Sequence, residues 1–187
     1  MIVDPSISKR KFAKEVEVAR VHAPFHRQGV WIMRAEFPIV FVVLVVNKPF
    51  PAVPGVLCGV HLDFSDYDVR PPSIRIVDPF DEKPLGFDAC WKFPKTKSVV
   101  DPISGQTIQV SQPLLQQFDP AKPFLCLPGV REYHESSAHS GDSWFLHRKP
   151  NMLVHLLSIL HQYGPNIATL QIQIQGLQYQ LTGKAIL

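Results

Sequence analysis

The feature that most constrains the fold is an eight-residue apolar run, Ile39 to Val46, in which β-branched residues predominate. β-Branched side chains favour extended backbone, and a run of this composition is typical of a buried strand. Three further strands are predicted on either side of it, at Val30 to Glu36, Val56 to Phe64 and Ser73 to Val77. The apolar run is too short to cross a bilayer, which needs about 20 residues. We therefore expect no membrane span.

Two helices are predicted to flank these strands. Ser6 to His22 has a narrow apolar stripe beside a charged face, and Ser6 or Ser8 could cap it. Asn151 to Tyr163 places leucines at helical spacing, has Asn151 as a candidate cap, and ends before Gly164-Pro165. A helix followed by an antiparallel meander and a second helix indicates an α+β fold.

The chain is predicted to form one domain over residues 1–187. With 187 residues, of which 45% are hydrophobic and 19% charged, it can bury a sizeable core. Residues 78–123 read as an insertion, in which Thr107 to Val110 is a candidate strand behind a Ser104-Gly105 turn and most of the remainder is expected to be loop. Residues 166–187 alternate apolar residues with glutamines, a strand pattern that could pair with the same sheet or with a partner.

Composition and charge exclude several classes of function. The net charge is only +3 and no long Lys/Arg block is present, so nucleic-acid binding has no support in the sequence. Three cysteines without a Cys-x-x-Cys pair are not a disulfide framework and indicate a reducing compartment. Because the first residues also lack the pattern of a signal peptide, we expect a cytoplasmic protein.

Cys126 is the candidate nucleophile. It lies in an apolar run that ends at Pro128-Gly129, where a sharp turn is expected. Groups near a thiol can stabilise its thiolate or move its proton, although an isolated Leu-Cys-Leu cysteine is more often a buried small apolar residue. The polar segment that follows supplies many such groups: Arg131, Glu132, Tyr133, His134, Glu135, His139, Asp142 and His147.

Several segments, in this order, carry a resemblance to a known family. Leu62 to Ile76 contains Tyr67-Asp-Val-Arg-Pro-Pro72 between two predicted strands, which resembles the Phe-Pro-x-x-Tyr-Pro-x-x-Pro-Pro loop of ubiquitin-conjugating enzymes. Cys126-Leu127 is similar to the active-site Cys-Leu of that family, with Trp144 as the downstream tryptophan and the second helix after it. The resemblance covers roughly residues 6–163, and the segment after Cys126 looks most like bacterial members found beside ubiquitin-like proteins and their activating enzymes.

The resemblance implies a ubiquitin-conjugating-like fold and a cysteine transferase without a cofactor. Cys126 would carry the C-terminus of a ubiquitin-like protein as a thioester and pass it to an amine of a protein substrate. Bacterial members of this kind are implicated in defence against phage. The expected roles are as follows: His134, His139 and Asp142 as candidate proton acceptors, Tyr133 and Ser140 as candidate oxyanion donors, and Lys9, Arg10, Lys11 and Lys14 as a candidate docking surface for the activating enzyme.

Departures from the family pattern leave alternatives open. No His-Pro-Asn motif precedes Cys126 and the interval from Pro72 is long, so the oxyanion donor and the group that activates the incoming lysine are unassigned. Cys90 is a rival nucleophile because its distance from Pro72 is closer to that in the family, whereas Cys58 is expected in the core. The missing motif favours a catalytically inactive binding module as a second hypothesis.

A third hypothesis is a metal-dependent hydrolase. His134, His139 and His147 could hold zinc, with Asp142 or Cys126 as a fourth ligand. Their spacing matches no firm zinc signature, and a polar surface segment with unligated histidines is the commoner arrangement. Trp144 is expected to anchor the core beneath the second helix.

Overall fold

The computed structural model describes residues 4–21, 25–46, 55–117 and 122–168. It confirms an α+β fold with an N-terminal helix, an antiparallel meander and C-terminal helices. The predicted strand in residues 166–187 lies almost wholly outside the described residues. The elements are α1 (Pro5–Val21), β1 (Val30–Glu36), β2 (Ile39–Val46), β3 (Gly55–Asp63), β4 (Ser73–Val77), β5 (Pro94–Val100), β6 (Thr107–Pro113), β7 (Leu115–Gln116), β8 (Phe124–Leu125), α2 (Arg131–Glu135), α3 (Trp144–His147) and α4 (Met152–Tyr163).

The main sheet has four antiparallel strands in the order β1-β2-β3-β4. The apolar run forms β2, and Val42 lies opposite Ile32 of β1 and Val60 of β3. Seven of the eight side chains of β2 are buried, in agreement with the prediction of a buried strand. β-Branched residues therefore occupy the centre of the sheet, where both faces exclude water.

The core lies between this sheet and the helices α1 and α4. The predicted apolar stripe of α1 is buried, as are the leucines of α4. Removing these side chains from water is the main term that stabilises the packing of the helices on the sheet. The core residues include Phe12, Val16, Ala19, Val40, Val42, Leu44, Val60, Leu62, Phe64, Ile74, Ile76, Leu153, Leu156, Leu157 and Leu160.

The N-termini of both helices differ from the prediction. Asp4 caps α1, since its carboxylate accepts a hydrogen bond of 2.8 Å from the Ser6 amide, and Pro5 is the first helical residue. The predicted cap Ser8 is fully buried inside the helix instead. Asn151 precedes α4 in a left-handed conformation with φ 56° and makes no side-chain cap.

The buried carboxylate of Glu15 in α1 caps the N-terminus of α4 in place of Asn151. Its Oε2 accepts a hydrogen bond of 2.9 Å from the Leu153 amide, and its Oε1 accepts one of 2.9 Å from the Tyr67 hydroxyl. Burial is the main cause that raises the pKa of Tyr67 well above its usual value, and the neighbouring Glu15 raises it further. This hydroxyl therefore stays protonated and donates. Glu15 thus ties α1, the loop after β3 and the start of α4 together.

We predict that Glu15→Ala destabilises the protein by on the order of 3 kcal/mol, because the Leu153 amide and the Tyr67 hydroxyl would lose their shared buried acceptor. Urea denaturation followed by circular dichroism would measure the loss. Glu17→Ala, on the exposed side of the same helix, should change the free energy of unfolding by less than about 0.5 kcal/mol. Equal losses in the two variants would contradict the role given to Glu15.

The predicted insertion is more ordered than the sequence indicates. The strand predicted at Thr107 to Val110 exists and extends to Pro113, and it pairs along its whole length with β5. The sequence predicts that much of residues 78–123 is loop, and within this stretch it does not reveal the strand β5 at Pro94–Val100. Among the described helices, none is long and apolar enough to cross a bilayer.

Candidate functional site

Cys126 lies on a tight turn directly after β8. The Leu127 amide donates to the Leu125 carbonyl at 2.9 Å, which closes a three-residue turn centred on Cys126. Leu125 and Leu127 are buried, whereas Cys126 is only half-buried. The two leucines therefore anchor the turn in the core and leave the thiol between them accessible.

A second turn follows at once and fixes the direction of the chain. The Val130 amide donates to the Leu127 carbonyl at 3.0 Å, and Gly129 has a φ of 104°. Pro128 and Gly129 are thus the central residues of a turn in which the third position requires positive φ, as their order in the sequence predicts. This turn ends the apolar run and starts α2.

His139 is the titratable side chain in contact with the Cys126 thiol. The Cys126 Sγ and His139 Nε2 atoms are 3.4 Å apart, within hydrogen-bond reach for sulfur. The Tyr133 ring stacks on the His139 ring, with 3.8 Å between ring centres and 19° between ring planes. Of the three predicted proton acceptors, His139 is therefore the one that this geometry favours.

Asp142 and Tyr133 are paired with each other rather than with Cys126. The Tyr133 hydroxyl donates to Asp142 Oδ2 at 2.9 Å, and His147 Nε2 lies 2.7 Å from Asp142 Oδ1. The hydrogen bond from His147, and then the one from Tyr133, lower the pKa of Asp142, so its carboxylate is a weak proton acceptor. Tyr133 has its hydroxyl proton committed, which does not favour the predicted role of oxyanion donor. Asp142 thus fixes the Tyr133 ring, which stacks on the His139 ring.

His134 is held by the backbone on both sides of its ring. Its Nε2 accepts a hydrogen bond of 3.2 Å from the Gly129 amide, and its Nδ1 lies 2.9 Å from the Asp142 carbonyl. The ring must therefore be neutral with the proton on Nδ1, which donates to that carbonyl. His134 thus stabilises the turn beside Cys126. Because the Gly129 amide already occupies the lone pair of Nε2, the geometry does not favour His134 as a proton acceptor.

Partial burial favours the protonated form of the Cys126 thiol, because it raises the pKa of Cys126 above its usual value. A nucleophile of this kind needs a base at the moment of reaction, because little thiolate is present beforehand. The nearby imidazole of His139 is placed to supply it.

The other two cysteines are packed in the core. Cys90, the rival nucleophile, is only 5% exposed, and its thiol donates to the Leu85 carbonyl at 3.7 Å. Cys58 is 1% exposed, and burial raises its pKa to about 12. The prediction that Cys58 is a core residue is confirmed, and burial disfavours Cys90 as a nucleophile.

We predict that iodoacetamide modifies Cys126 in the folded protein while Cys58 and Cys90 stay unmodified. The rate at Cys126 should keep rising with pH beyond the range of an ordinary cysteine, whose pKa is about 8.5, because its raised pKa delays thiolate formation. Peptide mass spectrometry after timed quenching would measure each site. Alkylation in urea is the control and should modify all three equally, whereas prior labelling of Cys90 in the folded state would contradict the structure.

The loop between β3 and β4, which contains Tyr67 to Pro72, packs against α2, the helix that follows Cys126. The Arg131 amide donates to the Pro72 carbonyl at 2.8 Å, and its guanidinium Nη2 donates to the Ser65 carbonyl at 2.6 Å. Glu132 accepts a hydrogen bond from the Ser73 hydroxyl. In the sequence, Arg131 and Glu132 are recognisable only as titratable groups, and no local pattern indicates that they join two segments about 60 residues apart.

Trp144 anchors the segment as predicted. It is 6% exposed, and its indole N–H donates to the Asp68 carbonyl at 3.0 Å. The His134 ring meets it edge to face, with 6.2 Å between ring centres. The loop after β3, Trp144 and the turn at Cys126 are therefore in continuous contact.

The predicted docking residues of α1 do not all line the same cleft. Lys11 and Arg148 both pair with Asp68, and together with Lys14 and Lys149 they line a cleft of about 400 Å³. Lys9 instead lines a second, more apolar cleft on the other side of the helix, and Arg10 is exposed. The docking role of Lys9, Arg10, Lys11 and Lys14 stays a prediction.

In the part of the chain that the structure describes, no three His, Cys, Asp or Glu side chains are grouped so that they could hold a metal ion. The predicted three-histidine set lacks His134, because both of its ring nitrogens bond the backbone. His147 is turned toward Asp142, and His139 toward Cys126. The arrangement therefore gives no support to the metal-dependent hydrolase.

Comparison with known proteins places the chain in a family. Residues 3–166 match the family described as Y4jH-like. A protein of Sinorhizobium fredii strain NGR234, named "Uncharacterized protein y4jH", is 35% identical over 186 residues, which cover 92% of this chain and 90% of the relative. A match over most of both chains includes the helices, the meander and the Cys126 segment together. The chain belongs to the Y4jH-like family.

Proposed function

We propose that the protein is a conjugating enzyme that carries a ubiquitin-like protein as a thioester on Cys126. The observation that carries the proposal is the half-buried thiol 3.4 Å from His139 Nε2, on a turn held by the core. A nucleophile, its base and a ring that orients the base are the parts that covalent acyl transfer requires. Here the orienting ring is Tyr133, which Asp142 fixes.

The thiol–imidazole pair can serve both acyl transfers. In the first, Cys126 Sγ attacks the carbonyl carbon of the thioester on the activating enzyme, and its proton passes to His139 Nε2. The tetrahedral adduct collapses, the activating-enzyme thiolate leaves, and His139 returns the proton to it. In the second, a substrate amine attacks the Cys126 thioester and loses a proton to His139, which then protonates the departing Cys126 sulfur.

The packing around the site also supports the proposal. Tyr67 to Pro72, the segment most similar to ubiquitin-conjugating enzymes, is joined to the Cys126 segment through Arg131 and Trp144. The order of helix, meander, cysteine turn and helix is the order expected of such an enzyme. The partners that follow are a ubiquitin-like modifier, its activating enzyme and a protein substrate. We further propose a cytoplasmic, antiphage role in bacteria, which rests on the resemblance.

Reconstitution with a ubiquitin-like protein, its activating enzyme and ATP tests this function. We predict a gel band that contains this protein joined to the ubiquitin-like modifier and that disappears on reduction. Cys126→Ala should abolish the band, and Cys126→Ser should turn it into an ester that resists reduction. Cys90→Ala is the matched control and should leave the thiol-labile band unchanged. A band that survives Cys126→Ala, or no band with an active activating enzyme, would contradict the proposal.

One observation favours a second candidate, a catalytically inactive binding module. The Tyr133 hydroxyl is engaged by Asp142, and the Gly129 amide beside Cys126 is engaged by His134, so two nearby donors are unavailable to an oxyanion. A binding module predicts that Cys126→Ala leaves partner binding and biological activity unchanged. Loss of phage resistance in cells that express Cys126→Ala at the normal level would exclude it.

A further inference from the structure

The hairpin of β5 and β6 stands apart from the core and is independent of the proposed function. Its strand residues are exposed, except that Pro94 and Val99 are half-buried. None of them belongs to the buried hydrophobic core. Its base is tied to the domain by hydrogen bonds from the Leu114 amide to the Phe93 carbonyl and from the Leu115 amide to the Lys92 carbonyl, at 3.1 and 3.2 Å. A two-stranded ribbon alone is only marginally stable in water.

The register of the hairpin gives it two unlike faces. Lys97 lies opposite Val110, and Val99 lies opposite Ile108, so these side chains share one face. The other face is largely hydroxyl and amide, and there Gln109 donates to the Ser98 hydroxyl at 2.8 Å. We call the first the lysine–apolar face, defined by Lys95, Lys97, Val99, Ile108, Val110 and Gln112.

Two of the three apolar side chains of this face are open to solvent, and the third, Val99, is half-buried. Ile108 is 45% exposed and Val110 is 37% exposed. Within the described residues, no third strand pairs with the hairpin and no helix covers it. β-Branched residues exposed side by side on a ribbon are a typical surface for a partner.

The two edges of the hairpin differ in how they resist pairing. β5 begins with Pro94 and carries Lys95 and Lys97, which are features that discourage a further strand. β6 has the sequence Thr-Ile-Gln-Val-Ser-Gln-Pro, with no charged residue and no proline before Pro113. The edge of β6 is therefore the one that can accept another strand.

The charges on the hairpin select the chemistry of the partner. The strands contain two lysines and no acidic residue. Asp101, at the turn, uses its carboxylate to accept hydrogen bonds from the Ile103 amide at 3.1 Å and from the Ser104 hydroxyl at 2.5 Å. The same hairpin of a second copy would bring lysines and no carboxylate to this face, whereas an acidic segment would pair with Lys95 and Lys97.

We propose that the edge of β6 binds an extended acidic and apolar segment of a partner protein by strand addition. Main-chain hydrogen bonds join the segment to β6, and its apolar side chains cover Ile108 and Val110. Two strand spacings, about 10 Å, separate the added strand from β5. Lys95 and Lys97 extend across that gap on the same face and meet the carboxylates of the segment.

A fluorescein-labelled peptide of alternating glutamate and valine tests the proposal with the full-length protein. Fluorescence anisotropy should show binding of this peptide and none of a lysine–valine counterpart. Lys95→Gln with Lys97→Gln should weaken binding on the order of tenfold at low salt. The matched control, Thr96→Glu with Thr107→Glu, changes the net charge equally on the opposite face and should weaken binding by no more than about twofold. Equal effects of the two variants would overturn the proposal.

Two further measurements separate strand addition from other modes of binding. A peptide N-methylated on alternate residues should lose binding, because it lacks main-chain donors, and undiminished binding would overturn the proposal. Ile108→Thr with Val110→Thr should weaken binding while circular dichroism shows an unchanged fold. Sedimentation of the protein alone as a dimer that these threonines disrupt, or binding to phosphatidylserine vesicles in place of the peptide, would likewise overturn it.

Discussion

His139→Gln is expected to slow acyl transfer to Cys126 on the order of a hundredfold, because it removes the proton acceptor 3.4 Å from the thiol. Glutamine is polar and of similar size, so the half-buried ring site stays filled. The raised pKa of Cys126 makes the loss large near neutral pH, where the thiol is protonated. Single-turnover formation of the thiol-labile band measures the rate.

The pH dependence separates a proton acceptor from a packing residue. As pH rises toward the pKa of Cys126, thiolate forms without help, so the difference between His139→Gln and the wild type should shrink. His26→Gln, an exposed histidine outside the site, is the control and should match the wild type at every pH. A deficit that is the same at all pH values would contradict proton transfer by His139.

Gly129→Ala is expected to destabilise the protein by about 3 kcal/mol and to abolish band formation. Its φ of 104° is unfavourable for a residue with a Cβ atom, and that atom would lie 2.5 Å from Cε of the buried Met152. Because Met152 is fully buried, its methyl group can yield only if the surrounding core repacks, and we expect the turn that positions Cys126 and the bond from the Gly129 amide to His134 to be disturbed. Urea denaturation and the reconstituted reaction measure the two effects.

Gly105→Ala is the matched control for backbone strain. Gly105 has a φ of 67° at the tip of the hairpin, and an added Cβ atom would meet nothing within 4 Å. It should cost about 1 kcal/mol, which is the conformational penalty alone, and should leave band formation intact. If the two variants lose equal stability, the contact with Met152 has no role.

The strands of the main sheet could be predicted because their cause is local. β1, β2 and β4 have the predicted boundaries, since apolar residues that favour extended backbone occur in each. β5 was missed because Pro-Lys-Thr-Lys has no apolar alternation, and only pairing with β6 makes it a strand. The pattern reveals which residues face a core but not which exposed segments pair.

The contacts of the site were less predictable, because they join distant segments. Cys126 and its turn follow from Leu-Cys-Leu-Pro-Gly, but choosing His139 over His134 requires knowing that the Gly129 amide occupies the His134 ring. Glu15 looks like a charge on a helix, and its partners lie 52 and 138 residues away. Such roles depend on tertiary packing and have no signature in a short window of sequence.

The most direct test of the central claim is to load the folded protein with a synthetic peptide thioester and follow its intact mass. We predict a single acyl adduct that maps to Cys126 after digestion. On addition of free lysine, the adduct should disappear as a peptide–lysine amide forms. An adduct on Cys58 or Cys90, no adduct at all, or an adduct that persists with lysine would contradict acyl transfer through Cys126.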